Sequence, residues 1–324
     1  MKKVCLSLLL CFIALGFLSA CDQQDEKSGT EKAAAAAAAY LCSTVTEPTF
    51  GSVGGDWVVI GLARSDYDVP EGYFNTYYDN VVAYVKDCGG ILDQSKNSEY
   101  SRLILALTAI GKDPADVAGY NMLMPLADFE KTSLQGINGP IWALLALDSG
   151  NYEIPQNSDA ASQATRDLYI EAILSCQLAN GGFSFTSGME DADADITAMA
   201  LTALSNYVDR SEVAAAVEKA LGCLSSMQQE DGGFRFDEQE SAETDAQVLV
   251  ALASLGIGRD DVRFIKNNVT VADHLLTFAL SDGSFAHMLP ADGPDQMATE
   301  QAFYALVALE RSENELSPLY RMAE

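Results

Sequence analysis

A glycine turn returns along this chain at a fixed interval. Gln177–Phe183 reads QLANGGF, Gln228–Phe234 reads QQEDGGF and Asp282–Phe285 reads DGSF, so Gly181, Gly232 and Gly283 stand 51 residues apart. A weaker copy is Cys88–Ile91, CGGI. A period of this size marks one supersecondary unit repeated, each unit unable to bury its apolar face alone. Before the turn lies an amphipathic stretch, clearest over Ser211–Gln228, where Val213, Val217, Ala220, Leu221 and Leu224 recur at helical spacing. After it comes a stretch apolar nearly all round. Six segments have this character: Trp57–Ala63, Leu103–Ile110, Ile141–Leu147, Ile196–Leu204, Val248–Leu255 and Phe303–Leu309. Helices apolar on every side belong inside, so the pattern predicts an all-α fold with these six as an inner ring and the amphipathic helices around it. Reversal between the two needs positive φ, which glycine adopts cheaply, while Phe183, Phe234 and Phe285 are placed to plug the layer between rings. A phosphate-cradling loop would need a preceding strand and a following Lys-Ser/Thr, and neither is present.

These repeats resemble the QxxxGGF-type repeats of the terpene cyclase and protein prenyltransferase superfamily, which implies an α/α toroid (α6/α6 barrel) over residues 40–324. Three stretches, Pro48–Trp57, Ser101–Pro114 and Gln135–Trp142, look like the toroid domain of bacterial surface-exposed proteins.

At the N-terminus, Lys2-Lys3, an apolar run from Val4 to Leu18 and small residues before Cys21 have the layout of a secretory signal. The run is shorter than the roughly 20 residues a membrane span needs. Leu18-Ser19-Ala20-Cys21 resembles the bacterial lipobox, which implies cleavage after residue 20 and a diacylglyceryl thioether on Cys21. Residues 1–20 are therefore expected to be a signal peptide. Residues 21–39, polar and then a bare alanine run, are expected to be a tether with nothing to bury. The expected location is extracytoplasmic, on a membrane reached through lipid: the cell surface, or the periplasmic face of the inner membrane in a two-membrane cell.

The formal net charge is −28, and loss of residues 1–20 would remove two lysines and no acids. Such a surface repels polyanions and anionic membrane faces, which excludes nucleic acid as a partner and leaves lipid as the attachment. Cys42, Cys88, Cys176 and Cys223 remain after Cys21, and free thiols and disulfides are both open to them.

Acidic or amide residues recur where the inner helices begin: Glu99, Asn138, Glu243 and Glu300, with Asp195 ahead of Thr197. Such residues satisfy free amides at helix starts, and around a toroid mouth they would also contact a ligand. Trp57 and Trp142 begin inner helices and would either stack on a ligand or fill the core. Asp193–Ala198, DADITA, looks like the DxDDTA acid motif of class II terpene cyclases, which implies Asp193 and Asp195 as catalytic candidates. Ile196 stands where that motif has its last aspartate, which puts the chemistry in doubt. The zinc triad of prenyltransferases has no counterpart at plausible spacing, with only His274 and His287 in the chain, so neither a metal nor another cofactor is expected. The leading expectation is a non-catalytic binding module for a hydrophobic or corrinoid small molecule or a surface protein. Alternatives are a terpene cyclase or prenyltransferase-like enzyme using Asp193 and Asp195, and a corrinoid carrier.

Overall fold

The computed structural model describes residues 28–236, 239–291 and 293–323. Among them the six apolar stretches form inner helices: α2 (Trp57–Ala63), α4 (Ser98–Ala109), α6 (Asn138–Ser149), α8 (Ala194–Leu204), α10 (Ala242–Ser254) and α12 (Gln296–Glu313). Each packs on the next and α12 packs on α2, which closes the ring. The outer elements are α1 (Gly29–Thr44), α3 (Tyr73–Asp87), α5 (Phe129–Thr132), α7 (Arg166–Leu174), α9 (Ser211–Met227) and α11 (Val271–Leu275). This is the expected α/α toroid. The inner helices bury nearly every side chain, as α10 does from Ala242 to Ala253, because both their faces meet protein. The outer helices are less regular than the repeat suggests, since α5 and α11 are single turns continued by 3-10 helix.

The repeated turn has one construction. Gly181, Gly232 and Gly283 share φ +93°, the left-handed region. The glutamine that opens the motif clamps it: Gln177 Nε2 donates to Gly181 O and to Ala216 O of α9, and Gln228 Nε2 donates to Gly232 O and Phe264 O. The phenylalanine that closes it is buried, and its amide donates to a side chain four residues beyond the cap of the following inner helix. That acceptor is Thr197 Oγ1 for Phe183, Asp245 Oδ1 for Phe234 and Thr299 Oγ1 for Phe285, at 2.8–2.9 Å.

The alanine run corrects one expectation. Residues 28–39 are not tether: a capping box between Ser28 and Glu31 starts α1, whose Ala34, Ala37, Ala38 and Leu41 are at most 2% exposed against the ring. α1 packs on α12, and a Cβ on Gly283 would lie 2.5 Å from Ala36 O. Methyl side chains bury little surface each but allow helix and turn to approach closely, so a stretch without large apolar residues still belongs to the domain. Among the described residues the toroid includes 28–39 as well as everything from 40 onward. The expected signal peptide, Cys21 and the rest of the expected tether fall outside the described residues.

The chain ends across the opposite face from the glycine turns. The Arg64 guanidinium donates to the carbonyls of Ser317, Pro318, Leu319 and Arg321, and the amides of Met322 and Ala323 both donate to Ser149 O at the end of α6. Leu319 and Tyr320 are thereby driven into the ring and buried. Cys42, Cys88, Cys176 and Cys223 are free thiols. No helix among the described residues is long and apolar enough to cross a membrane.

Candidate functional site

All inner helices start at one end of the barrel, and contacts between successive starts define a mouth. Arg102 Nε of α4 meets Asp56 Oδ2, just before α2, at 2.7 Å. Gly54 N, also ahead of α2, donates to Glu300 Oε1 of α12 at 2.7 Å. Gln247 of α10 donates to Gln301 Oε1 and to the Tyr304 hydroxyl of α12. Ile137 N, at the start of α6, donates to Phe185 O in the loop leading to α8. Glu99, Asn138, Asp195, Glu243 and Glu300 all lie in the first turns of inner helices, at this one end of the barrel.

What occupies these groups differs from one to the next. Glu99 is taken up by the Arg102 guanidinium. Glu243 holds the His287 ring through Nδ1 at 2.8 Å. Two candidates serve the fold instead. Asp193 caps α8, its Oδ1 accepting from Ile196 N at 2.9 Å. Thr197 is fully buried, accepts from Phe183 N and donates to Asp193 O, so it anchors the turn and has no free face for a ligand. Two of the residues that resemble the cyclase motif are thus explained by helix and turn construction, and Ile196 is in the core.

Trp57 and Trp142 pack on each other at a tilt of 52°, with centroids 5.1 Å apart, and Tyr320 from the C-terminal segment lies edge-on to both at 6.4 and 6.0 Å. Tyr304 is a further wall, 5.8 Å from Trp57. Of the two roles open to the tryptophans, ligand stacking or core filling, the packing matches the second: the aromatic rings fill the middle of the barrel among themselves.

Three side-chain oxygens at the mouth are buried without a hydrogen-bond partner: Asn138 Oδ1, Asp195 Oδ1 and Glu300 Oε2. Burial pushes the Asp195 carboxyl up to about 7, with the charge of Asp193 adding to the effect. Burial likewise raises Glu300 to about 7, against hydrogen bonds from Gln296 and Gly54 that favour its charged form. Asp56 is pushed up to about 6 by full burial, held there against the opposing pull of Arg102 and Tyr77. Near neutral pH the mouth therefore holds carboxyls that are partly protonated, able both to donate and to accept. Sequence reasoning left out Asp56, His287 and Gln247, because each reaches the mouth from a loop or a helix middle, away from the recurrent helix-start position.

The prenyltransferase α/α toroid domain family matches residues 123–292 and 218–317, two overlapping segments that together exceed half the chain. The chain belongs to this family. Solved structures of similar fold appear at low identity. One is the Candida albicans protein geranylgeranyltransferase-I complexed with GGPP, with TM-score 0.54, 14% identity and coverage of 92% of each chain. Another is the type II terpene cyclase MstE from Scytonema in its apo form, with TM-score 0.55, 12% identity, and coverage of 88% of this chain and 99% of that one. A third is a glycosidase variant in complex with glucose, with TM-score 0.55, 13% identity, and coverage of 90% of this chain and all of the other. At such identities the likeness is one of fold, and members of this toroid group span unrelated chemistries. No curated protein matches the chain by sequence.

Proposed function

We propose that this chain is an exported lipoprotein, attached through Cys21, whose toroid binds a small hydroxyl-rich molecule of the sugar class at the mouth of its inner ring. The observation that carries the ligand reading is the trio of buried, unpartnered oxygens on Asn138, Asp195 and Glu300. An unmade hydrogen bond on a buried polar group costs about 1–3 kcal/mol, and a ligand rich in donors would recover it at several points together. Four aromatic rings filling the middle of the barrel disfavour a long hydrophobic guest such as an isoprenoid, and a corrinoid would need more room than they leave. Binding of glucose by a toroid of the same fold adds support.

Protein beginning at residue 22 is tested by calorimetry and thermal shift against neutral mono- and oligosaccharides, with isoprenoids and corrinoids in parallel. A saccharide is expected to raise the melting temperature, as any ligand of the native state must, and Asp195→Leu is expected to weaken that binding at least tenfold. Stabilisation by an isoprenoid or corrinoid and by no saccharide would overturn the reading.

The attachment reading rests on the sequence around Cys21 and has its own test. Cys21→Ala is expected to move the protein from the membrane fraction to the soluble one without changing its melting temperature, since Cys21 lies ahead of the described toroid residues. Persistence in the membrane fraction would rule out lipid on Cys21 as the anchor.

A second reading is favoured by one group. Asp195, a half-buried residue whose Oδ1 is enclosed and whose carboxyl is raised to about 7, has the environment of a general acid. Turnover of a bound glycoside or terpene lost in Asp195→Asn would make the protein an enzyme.

A further inference from the structure

The repeat supplies its own control for an unusual feature of its second copy. In the first copy the turn Asn180-Gly181-Gly182-Phe183 is backed by Cys223 of α9, whose Sγ lies 2.8 Å from where a Cβ on Gly182 would be, and Thr197 receives the phenylalanine amide. Fifty-one residues on, Asn180 becomes Asp231 and Cys223 becomes His274, and the residue that receives the amide of Phe234 is Asp245. The turn is the same in both copies. Asn180 Oδ1 and Asp231 Oδ1 accept from Gly182 N and Gly233 N at the same 3.1 Å. Asparagine, cysteine and threonine are therefore enough to build it, and the aspartate, histidine and aspartate of the second copy are not required by the turn.

These replacements, with one hairpin residue, make a cluster of ligand type. The His274 ring lies against Gly233, where a Cβ would come within 2.0 Å of it, and the side chain is 4% exposed. Its Nδ1 meets Asp245 Oδ2 at 2.6 Å, and Asp245 is completely buried. That bond fixes the ring so that Nε2 faces Asp231 Oδ1 at 3.8 Å. β1 (Arg235–Phe236) and β2 (Gln239–Glu240) form a short antiparallel hairpin, and its Glu240 completes the group: one ligand atom from each of Asp231, Glu240 and His274 lies within 4.8 Å of the other two.

The geometry points to a binding site for a divalent first-row transition-metal cation, held by His274 Nε2 and the carboxylates of Asp231 and Glu240, with Asp245 as the positioning residue behind the histidine. A buried carboxylate on the far nitrogen is the arrangement that orients and strengthens histidine ligands generally. Metal–ligand bonds of about 2.0–2.2 Å require the three atoms to draw together modestly, and the two carboxylate chains, 38% and 27% exposed, are free enough to do so. One imidazole with two carboxylates suits zinc or manganese, and a neutral histidine gives little to calcium or magnesium. Arg235 now spans the two carboxylates, 3.6 Å from Asp231 and 3.4 Å from Glu240. Its exposed guanidinium is a resident counter-cation that a metal would displace. The site lies between an outer helix and a glycine turn, and it shares no residue with the ligand proposed at the mouth.

Full-length protein, stripped with a chelator, is titrated with Zn2+, Mn2+ and Ca2+ by calorimetry and native mass spectrometry. One Zn2+ or Mn2+ per chain is expected, with a raised melting temperature. Asp231→Asn, which the first repeat shows to be compatible with the turn, and Glu240→Gln on the surface hairpin are each expected to weaken binding at least tenfold. Arg235→Ala is expected to strengthen it several-fold. The inference is overturned by no binding of either transition metal, by binding that both carboxylate variants leave unchanged, or by Ca2+ binding as tightly as Zn2+.

Discussion

Replacing Arg102 by methionine is expected to lower the unfolding free energy at pH 7 by about 3–5 kcal/mol, measured by urea denaturation. The guanidinium is the cation between Asp56 and Glu99, and the Asp56 side chain is fully buried. Without it, Asp56 keeps the Tyr77 hydroxyl at 2.5 Å but loses its counter-charge in a site closed to bulk solvent. The carboxyl must then either carry an uncompensated charge or take up a proton. The loss is therefore expected to be smaller at pH 5 than at pH 7, and Arg102→Met combined with Asp56→Asn is expected to recover most of it. A loss below about 1 kcal/mol would mean that the pair behaves as a surface ion pair and does not hold α2 to α4.

The second large effect concerns pH. Asp195 and Glu300 are raised to about 7 in the folded chain, from ordinary values near 4. In the unfolded chain both ionise near pH 4, while in the fold both hold their protons until about pH 7. The fold thus binds more protons over that interval and loses stability as pH rises through it, with no further loss from these groups above it. The penalty at high pH is on the order of 3 kcal/mol for each group. The double variant Asp195→Asn, Glu300→Gln carries neutral amides of the same shape and escapes it. Its melting temperature is expected to match the parent near pH 4 and to exceed it increasingly up to pH 7. Equal pH dependence in the two proteins would show that neither carboxyl is raised.

The inner ring could be read from sequence almost residue for residue because a helix enclosed on all sides leaves an unbroken apolar run, and six such runs survive with little interruption. The Gly-Gly-Phe turn was equally plain, since positive φ and a buried ring each restrict the residue that can stand there. α1 was misread for the converse reason: alanine contributes to burial through close approach, which depends on what lies opposite. At the mouth, recurrence of acidic residues at helix starts identified the right end of the barrel but could not separate caps from unsatisfied groups. Asp193 and Asp195 differ by two positions, yet one is consumed by a backbone amide and the other is left with a free buried oxygen. The distinction lies in which way each side chain leaves the helix. The His274 cluster was half visible. The change from Cys223 to His274 at the repeat period is in the sequence, but the connection to Asp245 is hidden, because the loop after Phe234 is three residues shorter than the one after Phe183.

The capped start of α1 has a bearing on how the whole molecule would stand. Outer helices run against inner ones, and the beginning of α1 is tied to the far ends of the inner ring, where the Tyr67 hydroxyl donates to Glu31 O and Arg259 donates to Thr30 Oγ1. Ser28 is thus on the side sealed by the C-terminal segment. Only six residues lie between Cys21 and Ser28, a span of at most roughly 25 Å when drawn out straight. On the proposed attachment, a leash this short would keep the sealed face toward the bilayer and turn the acidic opening outward, where it would meet molecules arriving from the surroundings ahead of any lipid.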